Sequence, residues 1–256
     1  MLARMSERAP HERFGGLTYE SFQAMARDPS LSPHERSGFP DSYREGAELA
    51  ILSDIESKLP ALTGHDAAVV DVGCGANPLA SAIRDLCAQR EHTLVLVDSP
   101  DVLALHEAAA RVHTFPGRFP DVPELLERWA SRCDAVIVYS VIQYVFVEAN
   151  LFSFLDAILS LLGAGGRALL GDVPNASMRR RFLASDDGRE HHRVYTGRDE
   201  DPAVHWPMLP RGEIDDAVTL AMVARARDAG FHAWVVPQRR GLPMANRRED
   251  LVFERP

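Results

Sequence analysis

The residues with the clearest chemical meaning lie in the run Val69-Val70-Asp71-Val72-Gly73-Cys74-Gly75-Ala76-Asn77-Pro78. An apolar strand leads into a glycine turn and then into a helix, with Asn77 suited to the N-cap and Pro78 to the first helical position. Glycines in such a turn let the backbone approach a ligand closely, because no Cβ intervenes. Further on, Leu94-Val95-Leu96-Val97 ends in Asp98. An acid about 20 residues past the glycines, at the tip of a second strand, can accept hydrogen bonds from both hydroxyls of a ribose.

Two ligands compete for this constellation: a nicotinamide or flavin dinucleotide, and S-adenosylmethionine. The dinucleotide fingerprint requires a third glycine where Pro78 stands, so that the helix packs close and receives the pyrophosphate. Asp71, inside the first strand, suits a pyrophosphate poorly. It suits a ligand that carries an ammonium group and a sulfonium. The bland alternative is a glycine turn with an acid nearby by chance.

The elements that must position these residues follow from the apolar pattern. Residues 1–40 are polar and punctuated by Gly15-Gly16, Pro29, Pro33 and Pro40, which leaves room for one short helix near 19–27. From residue 42, Leu49, Ile51, Leu52, Ile55 and Leu59 recur mostly at helical steps until Pro60 ends the helix. Short apolar strands at 67–72, 92–97, 111–115, 134–139 and 167–171 then alternate with helices at 78–89, 102–110, 123–130 and 150–162. Strands buried on both faces and separated by helices predict an α/β fold with a parallel sheet between helical layers. The beat stops over 172–211, a stretch crowded with charge, His and Pro that shows no clear element, as functional loops and lids do. A helix at 214–229 and strands at 231–236 and 250–254 close the chain.

Composition narrows the class. The chain has 256 residues, 46% hydrophobic, with 37 Asp+Glu against 28 Lys+Arg and a net charge of −9, which fits one folded domain with a small appendage and excludes general disorder. An acidic balance argues against nucleic acid as the main partner. Lys58 is the only lysine, which reads as genomic bias toward Arg. Cys74, Cys87 and Cys133 are odd in number and widely spaced, so reduced thiols and a cytoplasmic location are expected. Residues 1–16 lack the apolar core of a signal peptide. The longest mostly apolar run, 135–147, is well short of the ~20 residues a membrane span requires, so no membrane partner is expected.

The motif Asp71-Val72-Gly73-Cys74-Gly75, with Val97-Asp98, resembles that of the class I S-adenosylmethionine-dependent methyltransferases. The later order agrees: Asp134 opening strand four, Leu161-Leu162-Gly163-Ala164-Gly165-Gly166-Arg167 before strand five, then a helix and two closing strands. The resemblance spans 43–256, with 1–42 as an N-terminal helical extension and 175–211 as a lid-like insertion after strand five. It implies a Rossmann-like, doubly wound sheet of seven strands whose last strand lies antiparallel between its neighbours. It also implies S-adenosyl-L-methionine as the cofactor. Asp71, Gly73 and Gly75 would then surround the methionine moiety, with Asp98 on the ribose and Ser99 beside it. Gly117, Arg118 and Phe119 would cover the adenine, in a segment that departs from the family's usual acidic pattern. Tyr139 and Ser140 would face the methionine side. Arg44, ahead of the first helix, would pair the methionine carboxylate bidentately, the alternative being a solvated helix-start charge.

The acceptor is narrowed by what is missing. Tyr139-Ser140-Val141-Ile142-Gln143-Tyr144 stands where adenine-amino methyltransferases carry an Asn/Asp-Pro-Pro-aromatic tetrad. The acidic hairpin of protein-arginine methyltransferases is also absent from the sequence. Metal-dependent catechol-type enzymes place an Asp where Tyr139 or Ser140 stands, and Asp172 with Asn175 makes only half of such a site, so no metal is expected. A small polar acceptor remains, a sugar or an anionic metabolite; a homodimer stays open. The stretch 171–175, Arg179 to Arg181 and the tail 246–251 resemble sugar and natural-product methyltransferases and favour O-methylation. A hydroxyl acceptor needs a base, for which Asp172, His191, His192 and His205 are candidates. Tyr144, Asn175, Arg181, Tyr195 and Trp206 are candidate acceptor contacts, and the cluster Arg179 to Arg181, with Arg189 and Arg193 further on, could hold an anionic substrate such as a nucleotide-sugar or carboxylated sugar, the alternative being a solvated surface. Arg239-Arg240 and Arg247-Arg248 read mainly as surface. The rival readings are a nicotinamide-dependent oxidoreductase and a non-catalytic protein that keeps the cofactor fold.

Overall fold

Alternating β-branched and apolar residues make strands that can be buried on both faces, and this chain builds its frame from them. The computed structural model describes residues 16–206 and 212–256; the expectations for 1–15 and for the end of the insertion at 207–211 lie outside the described residues. Before the sheet come α1 (Tyr19–Ala26), α2 (Pro33–Arg36), a 3-10 turn at Asp41–Tyr43 and α3 (Glu48–Lys58). The repeating unit follows as β1 (Ala68–Val72), α4 (Pro78–Gln89), β2 (Thr93–Asp98), α5 (Pro100–Leu103), β3 (Val112–Pro116), α6 (Pro123–Trp129) and β4 (Cys133–Tyr139). Then come α7 (Ile142–Glu148), α8 (Leu151–Leu161), β5 (Leu162–Pro174), α9 (Ala176–Ala184), α10 (Asp186–Thr196), α11 (Asp216–Asp228), β6 (His232–Pro237) and β7 (Arg248–Glu254).

The strands form one sheet in the order β3-β2-β1-β4-β5-β7-β6. The first five pair in parallel, and β7 runs antiparallel to both β5 and β6. The order reverses between β1 and β4, and in open α/β sheets the crevice beyond the strand ends at such a reversal is where ligands bind. Period-two alternation divides the core between the two faces. Val70, Val72, Val95, Val97, Val136 and Val138 pack with Leu125 of α6 and with Phe154, Leu155 and Ile158 of α8. Val69, Leu94, Leu96, Ala135 and Ile137 pack with Ile51 and Ile55 of α3 and with Leu79 and Ile83 of α4.

Four expectations are corrected. The helix expected over 102–110 is the short α5, which Ser99 caps by accepting the Val102 N–H at 3.3 Å. Between the strand expected at 134–139 and the helix expected from 150 lies a further helix, α7, which starts after the chain turns sharply at Ser140, whose φ is +61°. Strand five is longer than 167–171 and carries an irregularity between Leu170 and Val173. Residues 176–196, expected to lack regular structure, form α9 and α10. Their ends are set by side chains: Asn175 accepts the Met178 N–H and Ser185 the Gly188 N–H, while Gly197 closes α10 in the left-handed region. No helix among the described residues is long and apolar enough to cross a membrane.

Candidate active site

At the carboxyl end of β1, Gly73 donates to the Val97 carbonyl at 2.8 Å and adopts φ +70°. A Cβ there would lie 2.6 Å from Cγ2 of Val141, so only glycine fits. Gly75, φ +61°, donates its N–H to Asp98 Oδ2 at 3.0 Å, and the Ser99 N–H reaches Oδ1 at 2.7 Å. His106 donates from Nε2 to the Gly75 carbonyl at 2.6 Å. The turn is therefore held from both sides, by Asp98 and by a histidine that the spacing arguments did not single out.

A cleft of about 1250 Å³, its open mouth included, lies over this turn. Asp71, Gly73, Gly75, Asp98, Gly117, Arg118, Phe119, Tyr139, Ser140, Tyr144 and Arg44 all line it. The N-terminal segment contributes as well: Tyr19, Phe22 and Ala26 of α1 and Phe39 form part of the wall. Phe22 meets the Tyr144 ring edge-on at 4.9 Å, and Glu148 ties α1 down by accepting the Tyr19 N–H and pairing with Arg118 at 2.8 Å. Neither Tyr19 nor Phe22 carried a chemical signature in the sequence, since their role arises only from where α1 packs.

Asp71 is 3% exposed, and no hydrogen bond or ion pair to its side chain is found among the described residues. Burial, with the nearby charge of Asp98, pushes its carboxyl up to about 7. Burial also raises Asp98, against the pull of the N–H groups of Gly75 and Ser99. A buried unpaired carboxylate is unfavourable alone and well matched to a cation. This donor set fits an amino-acid ammonium beside a glycine turn and ribose hydroxyls at a strand tip, which S-adenosylmethionine presents.

Behind the cleft runs a buried ionic chain. Asp172, 2% exposed with φ +59° at the irregularity in β5, accepts at Oδ2 from Arg44, from Ser140 Oγ and from Arg248 at 2.7 Å. Its backbone N–H donates to Asp250 Oδ1 at 2.8 Å, and Gln238 bridges the two carboxylates. Lys58 reaches Asp250 at 2.7 Å and also pairs with Asp54. Arg44, whose guanidinium sits 3.9 Å from the Phe39 ring centre, thus has a protein carboxylate as its partner. Sequence reasoning expected it to await a ligand carboxylate or solvent. Asp172, a candidate base in the sequence, is instead paired with two guanidiniums, those of Arg44 and Arg248. The solitary lysine, read as compositional noise, is a counter-ion in this network.

A second cleft, about 2000 Å³ with its open mouth, lies beside the first and is lined by Tyr43, Gln143, Asn175, Arg179, His191, His192, Tyr195, Arg247 and Arg248. His191 stacks on Tyr195 with ring centres 6.3 Å apart. Asn175 is 1% exposed and its amide is committed, accepting from Met178 and donating to Asp216 and Glu249. The structure does not bring the remaining candidates to either cleft. Arg181 is a surface partner of Asp216, Arg189 of Asp186 and Arg193 of Asp201. His205 and Trp206 are exposed and line neither cleft, and Ser99 serves as a helix cap.

No family model matches the sequence, and no curated protein matches it. Solved structures do. The CurJ carbon methyltransferase superposes with a TM-score of 0.54 at 12% identity, covering 91% of this chain, which spans only 64% of that one. A Listeria monocytogenes protein assigned to the S-adenosylmethionine-dependent methyltransferases gives 0.53 at 13% identity, covering 82% of this chain and 98% of the other. The plantazolicin methyltransferase BpumL, solved with a triazolic desmethylPZN analog and S-adenosylhomocysteine, gives 0.54 at 11% identity over 96% and 99% of the two chains. With strands ordered β3-β2-β1-β4-β5-β7-β6 and β7 antiparallel, the chain has the fold of the class I S-adenosylmethionine-dependent methyltransferases.

Proposed function

We propose that the chain is an S-adenosylmethionine-dependent methyltransferase that methylates an oxygen of a small polar acceptor without a metal. The observation that carries this reading is the unpaired, buried Asp71 beside the Gly73–Gly75 turn, with Asp98 at the tip of the neighbouring strand. When bound, the cofactor supplies a methyl group activated by sulfonium for in-line displacement. Asp71 holds the ammonium of its methionine part. Asp98, fixed by two backbone N–H groups, accepts from the ribose hydroxyls with its remaining lone pairs. Arg118 and Phe119 border the adenine, while Tyr19 and Phe22 on α1 exclude water from the cleft.

Arg44, Asp172 and Arg248 act as a positioning unit between the clefts: with all three held together, Ser140 is pinned and the wall stays rigid. The acceptor occupies the second cleft, where His191 and His192 are the candidate bases and Tyr195 offers a ring face. Ser140 in place of an acid at the end of β4 supports metal independence. The plantazolicin enzyme, whose structure carries S-adenosylhomocysteine and a desmethylPZN analog, supports a non-macromolecular acceptor.

Calorimetric titration with S-adenosylhomocysteine and with NAD tests the donor. Binding of the first and silence with the second is expected, and NAD binding alone would replace this reading with a nicotinamide enzyme. Incubation with methyl-labelled cofactor and small-molecule cell extract tests catalysis. Label is expected in a metabolite at oxygen, and its absence from every metabolite would favour a non-catalytic partner protein.

A further inference from the structure

We propose that Arg179 and Arg247, with Arg248 beside them, form an oxyanion-binding subsite in the second cleft that takes a carboxylate or phosphate of the acceptor; as an acceptor subsite it rests on the methyltransferase reading above. Arg179 comes from α9 and Arg247 from the approach to β7, so the site is made by two elements distant in sequence. Their convergence is fixed by backbone: the Asn175 N–H donates to the Arg247 carbonyl at 3.0 Å, and the Arg179 N–H to the Asn175 carbonyl at 2.9 Å.

These arginines differ from many others among the described residues. Arg27, Arg181, Arg189 and Arg225 each pair with an acid at the surface, and Arg248 is committed to Asp172. Arg179 and Arg247 make no ion pair among the described residues, and Nε of Arg247 is buried without a hydrogen-bond partner. Among the described lining residues Glu213 is the one acid, and it is exposed. Burial, and the charges of Arg179 and Arg248, lower Arg247 from its ordinary value. Guanidiniums gathered in a cleft with so little counter-charge repel one another until an anion enters, and their planar forks match a carboxylate or phosphate bidentately. Tyr43 and Tyr195, which line the same cleft beside Arg247, add hydroxyl donors. In a protein of net charge −9, anions are not gathered by the general field, so this local cluster must do the selecting.

The test is calorimetric titration of the full chain, with and without S-adenosylhomocysteine, using inorganic phosphate in one arm and D-glucuronate in the other. Saturable binding in at least one arm is expected, and the arm that binds identifies the anion class. Arg179→Gln and Arg247→Gln should each weaken it at least tenfold, whereas the exposed Arg240→Gln, which removes the same charge outside the cleft, should not. The affinity for S-adenosylhomocysteine should be the same in all four proteins, which also shows that the variants are folded. No saturable binding of either anion, or equal binding by an Arg179→Gln/Arg247→Gln double variant, overturns the subsite. Anion binding without any S-adenosylhomocysteine binding would instead leave the subsite standing and remove the donor reading.

Discussion

Asp71→Asn is a substitution expected to gain stability on the ligand-free wild type as pH rises, while damaging its site. In the folded chain the Asp71 carboxyl stays protonated up to about 7, against 3.8 for an unperturbed group. The unfolded chain therefore releases this proton first. Wild-type stability is undiminished below the unfolded value and falls steadily as pH rises from about 4 to 7, then levels off. At 1.36 kcal/mol per pKa unit, the unfavourable contribution is about 2 kcal/mol at pH 5 and about 4 kcal/mol at pH 8. The substituted side chain carries no such charge. Its buried amide adds a pH-independent penalty, so the informative quantity is the change with pH and not the absolute difference. Thermal unfolding at pH 5 and pH 8 should show the variant gaining about 2 kcal/mol on the wild type between the two, or roughly 4–8 °C for a chain of this size. In the same proteins, wild-type affinity for S-adenosylhomocysteine should strengthen as pH rises through 7, and the variant's should stay weak and flat. A stability difference that is constant from pH 5 to pH 8 would refute the assignment of Asp71 as an unpaired buried acid.

Three further outcomes are expected. Asp98→Ala should weaken S-adenosylhomocysteine binding by about 2 kcal/mol, through loss of charge-assisted hydrogen bonds; calorimetry showing unchanged affinity would remove Asp98 from the ribose. Lys58→Ala leaves Asp54 and the buried Asp250 without their cation, and chemical denaturation should report a loss of about 3–5 kcal/mol. Gly73→Ala forces a Cβ to 2.6 Å from Val141 at φ +70°, so a loss of about 1–3 kcal/mol is expected, and because α7 must shift, donor binding should fall with it.

What could be read from the chain alone was local. The β1–turn–α4 unit is written in neighbouring residues: β-branched Val69, Val70 and Val72, the two glycines, Asn77 as cap and Pro78 after it. Each acts within a few positions, so its effect survives without knowledge of the fold. The alternation of strands and helices is legible for the same reason, because burial on both faces imposes an apolar run. Where that signal fades, so does the reading. The α9 and α10 helices have few apolar residues; caps at Asn175, Ser185 and Gly197 and short-range pairs such as Arg189 with Asp186 hold them. Periodicity of apolar residues cannot detect such helices.

The site's composition was divided in the same way. Asp71 and Asp98 could be picked out because strand ends and spacing place them, and the fold brings both to one cleft. The partners of Arg44 could not, since it meets Asp172 across 128 positions of sequence. Nor could the wall that α1 supplies, the use of Lys58, or the approach of Arg247 to Arg179 in one cleft. A sequence determines which segments must be buried and where the backbone must turn, because those are short-range consequences of side-chain shape and polarity. Which charges face one another is a long-range outcome of how the layers close. Only the folded chain could show that Asp172 is already paired while Asp71 is not.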